Sequence, residues 1–207
     1  MSIVGELASA LGKRDEKPNQ ELAKRIVAKS DSRAIAQLIA LLDDENKAIQ
    51  SDSIKVLYEI GESKPALIAE YAANFVILLN SKNNRLQWGA MTALDTITGL
   101  NPKPILLALP RILQITDEGS VITRDHAVGI LIKLCLDDPK FEKGFEHLIK
   151  QLATAPTNQL PMYAERMLPI VTEKRKAKFM QTLQLRLPKV EQESKRKRIE
   201  KVISKLQ

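Results

Sequence analysis

The sequence contains few of the residues on which reactive sites and disulfide-stabilised folds depend. Among 207 residues there are one cysteine, Cys135, and two histidines, His126 and His147. A single cysteine excludes an internal disulfide and is typical of a reducing compartment, so we expect a cytoplasmic protein. Because Cys135 lies near the end of an apolar stretch, we predict that its thiol is buried in a core.

Motifs for catalysis and metal binding are also missing. The two histidines are 21 residues apart, and neither an HxxxH nor a CxxC spacing occurs. The sequence has no GxSxG, Walker-type or GxGxxG segment. The acidic pairs Asp43–Asp44 and Asp137–Asp138 fall in predicted turns, where helix capping explains them. These absences predict a protein that is not an enzyme and that holds no metal ion or cofactor.

Aromatic residues and long apolar runs are scarce. Aromatic side chains make up 4% of the chain, whereas 44% of its residues are hydrophobic. Medium-sized apolar side chains of this kind are typical of helices packed on helices. The longest apolar runs, such as Phe75–Leu79 and Ile105–Pro110, are far shorter than a membrane-spanning helix. The N-terminus lacks a basic region and carries Glu6, unlike a signal peptide. We therefore expect a soluble protein with no membrane segment.

The pattern that is present is one amphipathic helix that recurs four times at intervals of 37 residues. The copies are Ser51–Glu62, Trp88–Gly99, Asp125–Leu136 and Met162–Glu173. In each copy a small residue is followed four positions later by an apolar residue and three positions after that by another, which places all three on one helix face. The aligned positions are Ser53, Ala90, Ala127 and Ala164, then Leu57, Leu94, Leu131 and Leu168, then Ile60, Ile97, Leu134 and Val171.

The same period of 37 residues appears in three other parts of each repeat, namely a first helix, the turn after it and the boundary with the next repeat. The first helices align at Leu38, Phe75, Ile112 and Ile149. The turns within the pairs align at Asp43, Asn80, Asp117 and Thr154, which we predict to cap the second helices. Prolines that end one repeat and begin the next align at Pro65, Pro102 and Pro139. The period predicts a single domain, 1–207, with repeats at about 33–63, 64–100, 101–137 and 138–173.

The two ends of the chain depart from the repeat. We predict an N-terminal cap over 1–32, with a short helix at 2–11 that stops at Gly12 and a second helix from about 20 to 29 that Asn19 caps. Pro169 interrupts the apolar stripe of the fourth repeat, so its helix should end early there. A basic C-terminal pair over 174–207 should have helices near 177–187 and 192–206, separated at Pro188.

The segment Leu41–Glu62, LLDDENKAIQSDSIKVLYEIGE, resembles the helical pair of HEAT and armadillo-like repeats. The resemblance implies an all-α, right-handed α-solenoid of about five antiparallel helix pairs, with the second helices on its concave face. Gln50 and Gln87 replace the basic residue that is usual in HEAT repeats, which Arg124 retains, so we expect the polar bonds between repeats to be partly missing. The family also includes small basic DNA glycosylases, but a single tryptophan makes a nucleotide pocket of that kind difficult to build.

The resemblance implies a non-enzymatic scaffold that binds another protein through the face lined by the second helices. We predict four contact residues on that face. Exposed tryptophan, tyrosine and arginine are favoured at interfaces, and lysine and arginine lie on the outward ladder of the second helices. The four residues are Lys55, Trp88, Tyr163 and Arg166.

The alternative function is the binding of nucleic acid or another polyanion. Residues 172–207 hold 12 Lys or Arg and 4 Asp or Glu, whereas the preceding 171 residues hold 20 and 21. The positive charge of the chain therefore resides in its C-terminal pair, where it can meet phosphates or an acidic partner. The predicted contacts are Lys174, Arg175, Lys178, Lys195, Arg196, Lys197 and Arg198.

Overall fold

A computed structural model describes residues 2–206, and within that range every regular element is a helix. The predicted all-α fold is confirmed. The α-helices are α1 Lys17–Lys29, α2 Ser32–Ala40, α3 Lys47–Ser63, α4 Ala72–Leu78, α5 Asn84–Ile97, α6 Pro102–Leu107, α7 Leu109–Glu118, α8 Val121–Asp137, α9 Glu142–Thr154, α10 Leu160–Met167, α11 Glu173–Arg186 and α12 Glu193–Ser204. Short 3-10 helices cover Ile3–Glu6, Leu41–Asp43, Pro65–Leu67, Ala69–Tyr71, Leu168–Ile170 and Leu187–Lys189.

The chain forms two compact units, and the division falls inside α8. Unit one extends to Ala127, and unit two begins at Val128. Within the described residues no helix combines the length and the apolar character that crossing a membrane requires.

Unit one is built on α3, which packs against α1 on one side and against α5 on the other. The small residues of the repeat make this packing close. Ser53 and Ala90 are fully buried, and a Cβ atom on Gly89 would come within 2.6 Å of Cγ1 of Ile54. The predicted apolar stripe is buried as well, since Leu57 and Leu94 have no exposed surface. The second helices therefore meet through small side chains, with leucine and isoleucine filling the core around them.

In unit one the residues that cap the second helices lie three positions later than predicted. Asn46 Oδ1 accepts the N–H of Ala48 at 2.9 Å, and Asn83 Oδ1 accepts that of Arg85 at 3.0 Å. Before α8, the hydroxyl of Ser120 accepts the N–H of Thr123. The prediction of Asp43 and Asn80 as caps was wrong, because a further turn of chain, which at Leu41–Asp43 is a 3-10 helix, separates the first helix from the second.

The first helices are less regular than the sequence pattern predicts. Pro65 and Pro102 begin helical segments, as expected, but these segments are short. In the third repeat α6 ends at Leu107 and a separate helix, α7, starts at Leu109. Pro110 explains the break, because a proline ring inside a continuous helix would clash with a carbonyl group of the preceding turn.

The N-terminal segment also differs from the prediction. Its first helix is limited to the 3-10 turn Ile3–Glu6, although Gly12 has the positive φ of 65° that suits a glycine at a chain reversal. Asn19 does not cap α1, which begins at Lys17. The side chain of Asn19 is buried instead, where it accepts the N–H of Ala8 and donates to Asp52 of α3 at 2.8 Å.

In unit two the prolines end helices where the sequence predicts, although α11 begins at Glu173 and not near 177. Pro161 lies in the first turn of α10, and α10 ends at Met167, where the 3-10 turn Leu168–Ile170 contains Pro169. Pro188 lies in the 3-10 turn Leu187–Lys189, between α11 and α12. Aromatic and aliphatic side chains from three helices, Phe145, Phe179 and Ile199, are almost fully buried.

The observed helix caps predict different losses of stability when Asn83 and Asn80 are replaced by alanine. Asn83→Ala removes a helix cap and the hydrogen bond that Asn83 Nδ2 donates to Gln50 Oε1 at 3.2 Å. We expect it to lower the free energy of unfolding of unit one by about 1–2 kcal/mol. Asn80→Ala, at the exposed position that the sequence pattern favoured, should cost less than about 0.5 kcal/mol. Urea unfolding followed by the fluorescence of Trp88, the single tryptophan, measures both; equal losses would contradict the assignment.

The single cysteine is buried on α8, as predicted. Burial raises the pKa of the Cys135 thiol to about 11, so the reactive thiolate is scarce at neutral pH. We expect native protein to react with a thiol-specific disulfide reagent at pH 8 at least about a hundredfold more slowly than protein unfolded in urea. Rapid reaction of the native protein would show that the thiol is accessible.

Candidate binding surface on the second helices

An aromatic pair marks the surface that the second helices form in unit one. The rings of Tyr58 on α3 and Trp88 on α5 lie 5.6 Å apart between centroids, with a tilt of 50°. Tyr58 is buried, whereas Trp88 is partly exposed. The guanidinium of Arg85 lies 5.8 Å from the Trp88 ring centroid. Such tilted aromatic and cation–π contacts fix the orientation of a tryptophan that keeps one side in solvent.

Lys55 is held beneath this surface. Its side chain is 9% exposed, and its ammonium lies 3.0 Å from Glu16 and 2.6 Å from Glu59. It also lies 4.7 Å from the centroid of the Tyr58 ring. Burial by itself would lower the pKa of Lys55, but hydrogen bonds with Glu59, Tyr58 and Glu16 outweigh burial and raise the pKa above its ordinary 10.5. A raised pKa stabilises the fold at every pH below about 10.5, so this contribution is complete at neutral pH.

Acidic side chains continue along the same surface. Partial burial raises the pKa of Glu62, and the neighbouring charge of Glu59 raises it further. On α5, Asp95 Oδ2 lies 3.0 Å from Nδ1 of His126 at the start of α8. A shallow groove of about 270 Å³ runs between α1 and α3, and Glu59 and Glu62 line it on the α3 side.

These side chains together define what we call the unit-one face. Its members are Glu16, Lys55, Tyr58, Glu59, Glu62, Arg85, Trp88, Asp95 and His126. Four carboxylates stand against the cations Lys55 and Arg85, and both cations are ion-paired with Glu16. Even with Lys24, which lines the groove on the α1 side, the carboxylates outnumber the lysines and arginines by one, and this excess favours a positively charged ligand.

The four predicted protein-binding residues occupy different environments. Trp88 lies on the unit-one face with part of its ring exposed, but Lys55 is too deeply buried to be a first contact for a partner. In unit two, Arg166 is partly exposed and its side chain is already engaged.

The expectation that Tyr163 is exposed was wrong, since only 1% of its surface is accessible. Apart from Pro161 in its first turn, the buried residues of α10 are Leu160, Tyr163, Ala164 and Met167, which is the i, i+3, i+4, i+7 pattern of one helix face. The sequence alignment had instead traced the stripe through Leu168 and Val171, beyond the end of the helix.

Arg175, one of the predicted polyanion contacts, is an internal side chain with 2% exposure. Its guanidinium donates to the carbonyl oxygens of Ile170 at 3.2 Å and Pro139 at 2.9 Å and to Glu142 at 3.2 Å. It also stacks 4.8 Å from the centroid of the Phe145 ring. Arg175 therefore joins α11 to α9, and a phosphate has no access to it.

Most of the other predicted polyanion contacts also have partners within unit two. Lys178 pairs with Glu146, Lys195 with Asn158, and Lys197 with Glu193 at 2.7 Å. Arg196 donates twice to the carbonyl of Val190, and Arg198 binds Glu165 through two hydrogen bonds of 2.8 and 2.6 Å. Among the seven, only Lys174 has no polar partner within the described residues.

Sequence reasoning missed a regular feature behind these pairs. Arg198 and Glu165 are 33 residues apart, as are Arg175 and Glu142, while Lys178 and Glu146 are 32 apart. The hydrogen bond between Asn83 and Gln50 also spans 33 residues. Each pair therefore joins neighbouring repeats slightly short of the full period. A search of the sequence for complementary polar residues at an offset of 32 or 33 would have found these pairs. The hydrogen bond between Asn83 and Gln50 joins two repeats at a position where the basic residue of HEAT repeats is missing.

Lys55 provides a test of how the unit-one face is held. Lys55→Gln leaves Glu16 and Glu59 without their shared cation, so we expect it to lower the free energy of unfolding by about 1–2 kcal/mol. This is less than for a fully buried pair, because both carboxylates are partly hydrated. Lys47→Gln, at an exposed position of the same helix, should cost less than about 0.5 kcal/mol. Urea unfolding measures the free energy of unfolding of both variants. An unchanged value for Lys55→Gln would mean that the buried cation does not stabilise the fold.

Comparison with solved structures identifies the fold. The chain aligns over 98% of its length with 97% of a computationally designed armadillo repeat protein for modular peptide recognition, at a TM-score of 0.69 and 17% identity. The chain also aligns over 99% of its length with 99% of a designed armadillo repeat protein in complex with the peptide (KR)4, at a TM-score of 0.65 and 16% identity. A third structure, of an engineered protein, aligns over 97% of its own length with 100% of this chain, at a TM-score of 0.62 and 19% identity.

At the level of sequence, no protein-family model and no curated protein matches the chain. Identities of 16–19% carry the likeness of fold alone. Together with the twelve α-helices of residues 2–206 and the 37-residue period of the sequence, they show that the chain has the armadillo- and HEAT-like helical repeat fold.

Proposed function

We propose that the protein is a non-enzymatic scaffold that binds a positively charged segment of another protein along the unit-one face. The observation that carries the proposal is the partly exposed Trp88, oriented by Tyr58 and Arg85 on a face that also carries Glu59, Glu62 and Asp95. A rigid tryptophan supplies apolar contact area at a small entropic cost. The carboxylates supply charge complementarity, which increases association rate and specificity.

The fold supports this proposal independently of the face. One protein of the same fold was designed for modular peptide recognition, and another is in complex with a peptide of alternating lysine and arginine. Lys55 has a different role from the one that the sequence suggested. Its buried ammonium binds Glu16 and Glu59 and fixes their positions, so that Trp88 and the acidic side chains contact the partner.

Trp88 allows a direct test because it is the single tryptophan of the chain. We expect (KR)4 to change the emission of Trp88 in a saturable manner at low salt and to bind more weakly as the salt concentration rises. Glu59→Gln/Glu62→Gln should weaken binding about tenfold, since two ion pairs at a partly hydrated interface are lost. An uncharged (GS)4 peptide should produce no change.

The matched control is Asp43→Asn/Glu70→Gln, which removes the same charge from exposed positions of unit one outside the unit-one face. We expect this variant to change affinity less than about twofold. Equal weakening in both double variants would mean that only net charge matters. An absent response of Trp88, with the peptide unbound by an independent anisotropy measurement, would remove this face as a site for basic segments.

A further inference from the structure

One sector of α12 in unit two collects basic side chains around a single carboxylate. Arg198 binds Glu165 of α10 through both of its oxygens. Arg198 is the first cause of the lowered pKa of Glu165, and Lys205 and Lys201 lower it further because they lie close by. Arg198, Lys201 and Lys205 are three, four and seven residues apart, so they share one side of the helix. Glu165 thus stands against three positive charges, while the exposed carboxylates of α12 itself are Glu193 and Glu200.

Within residues 2–206 the two lysines of this sector have no partner, unlike the arginines of unit two. Arg175, Arg186, Arg196 and Arg198 all donate to carbonyl or carboxylate oxygens of the protein. Lys201 and Lys205 are exposed, and neither ammonium forms an ion pair or hydrogen bond within residues 2–206. The rigid guanidinium forks are used to join helices, whereas these lysines remain available as mobile point charges.

The position of Lys201 places it on the second-helix side of unit two. Lys201 lies 35 residues after Arg166, which is the offset that relates the buried residues Ala164 and Met167 of α10 to Ile199 and Val202 of α12. Arg166 itself belongs to the outward ladder of the repeats, and α12 packs directly against α10. Lys197 precedes Lys201 by one turn and extends the row along the helix. Its ammonium pairs with Glu193 of the preceding turn at 2.7 Å, but both side chains are at least 70% exposed, and an exposed pair of this kind contributes little energy.

The spacing of this row suits carboxylates on a protein segment. Lys197, Lys201 and Lys205 follow each other at four residues, which is a rise of about 6 Å per step in an α-helix. An extended chain presents side chains on one side at intervals of about 6.6–6.8 Å, and an acidic helix with an i, i+4 pattern presents them at about 6 Å. A segment with acidic residues at alternate positions therefore fits the row without distortion.

Nucleic acid fits the row less well. Arginine binds phosphate through a bidentate fork, but the arginines of unit two are occupied. Single strands also need aromatic side chains on which bases stack, and α12 contains none.

We propose that Lys197, Lys201 and Lys205 form a docking row for an acidic segment of a partner protein, separate from the unit-one face and opposite to it in charge. The row does not depend on the function of the unit-one face, and either site can fail its test while the other passes.

Fluorescence anisotropy of a labelled (ES)4 peptide with the full-length chain tests the docking row. Binding is expected at low salt and should weaken as salt rises. Lys201→Gln/Lys205→Gln should weaken it about tenfold without touching the bonds between Arg198 and Glu165. The matched control is Lys174→Gln/Lys189→Gln, which removes two exposed lysines elsewhere in unit two and should change affinity less than about twofold. Circular dichroism and thermal unfolding verify that all variants remain folded.

Three outcomes would overturn the proposal. One is the absence of (ES)4 binding at low salt by folded protein. The second is equal weakening by the two double variants, which would reduce the effect to net charge. The third is tighter binding of a single-stranded thymidine octanucleotide than of (ES)4 at the same salt, with the same loss in Lys201→Gln/Lys205→Gln, which would assign the row to nucleic acid.

Discussion

The contact between α3 and α5 is the one on which unit one depends. The two helices approach so closely that a Cβ atom on Gly89 would overlap with Ile54, and one on Gly61 would overlap with the side chains of Thr96 and Ile68. Glycine inside a helix costs about 1 kcal/mol relative to alanine, so its presence at two points of the contact shows that close approach outweighs helix propensity there. Because the helices are this close, Tyr58 and Trp88 come into ring contact, and the carboxylates of both helices line one surface.

Lys55 follows from the same packing. Its stem lies among the packed helices, and the ammonium emerges only where Glu16 and Glu59 meet it. A lysine buried to this extent without carboxylates would lose its charge or destabilise the fold. The charge of the unit-one face is therefore not a set of independent surface residues. Lys55 is a fixed cation that holds two carboxylates in position, while Glu62 and Asp95 add negative charge beside them.

The repeat pattern predicts the fold far better than it predicts the surface. Small and apolar residues at a fixed period determine which helix faces are buried, and Ser53, Ala90, Leu57 and Leu94 are buried as their spacing requires. Where a proline ends a helix early the same alignment misleads, so Tyr163 was placed outside although it belongs to the buried face of a shortened α10. The caps were missed for a related reason, since the period gives the register of a turn and not its length.

Charged residues are harder to interpret from sequence, because a basic residue can either bond to oxygens of the protein or remain hydrated at the surface. Only the fold shows which of the two applies. In unit two side-chain chemistry explains the role of the arginines. Arginine presents several donors in a rigid plane, so Arg175 satisfies two carbonyl oxygens and Glu142 at once and holds α11 against α9. Lysine gains less from such a position, because its ammonium is strongly hydrated and its stem is flexible. The C-terminal charge is therefore divided. The arginines donate to oxygens of the protein, and Lys178, Lys195 and Lys197 have partners as well, whereas Lys201 and Lys205 have none within residues 2–206. A row of hydrated lysines at one helical turn, beside a carboxylate that Arg198 already binds, retains the positive potential that the arginines have lost to the protein itself.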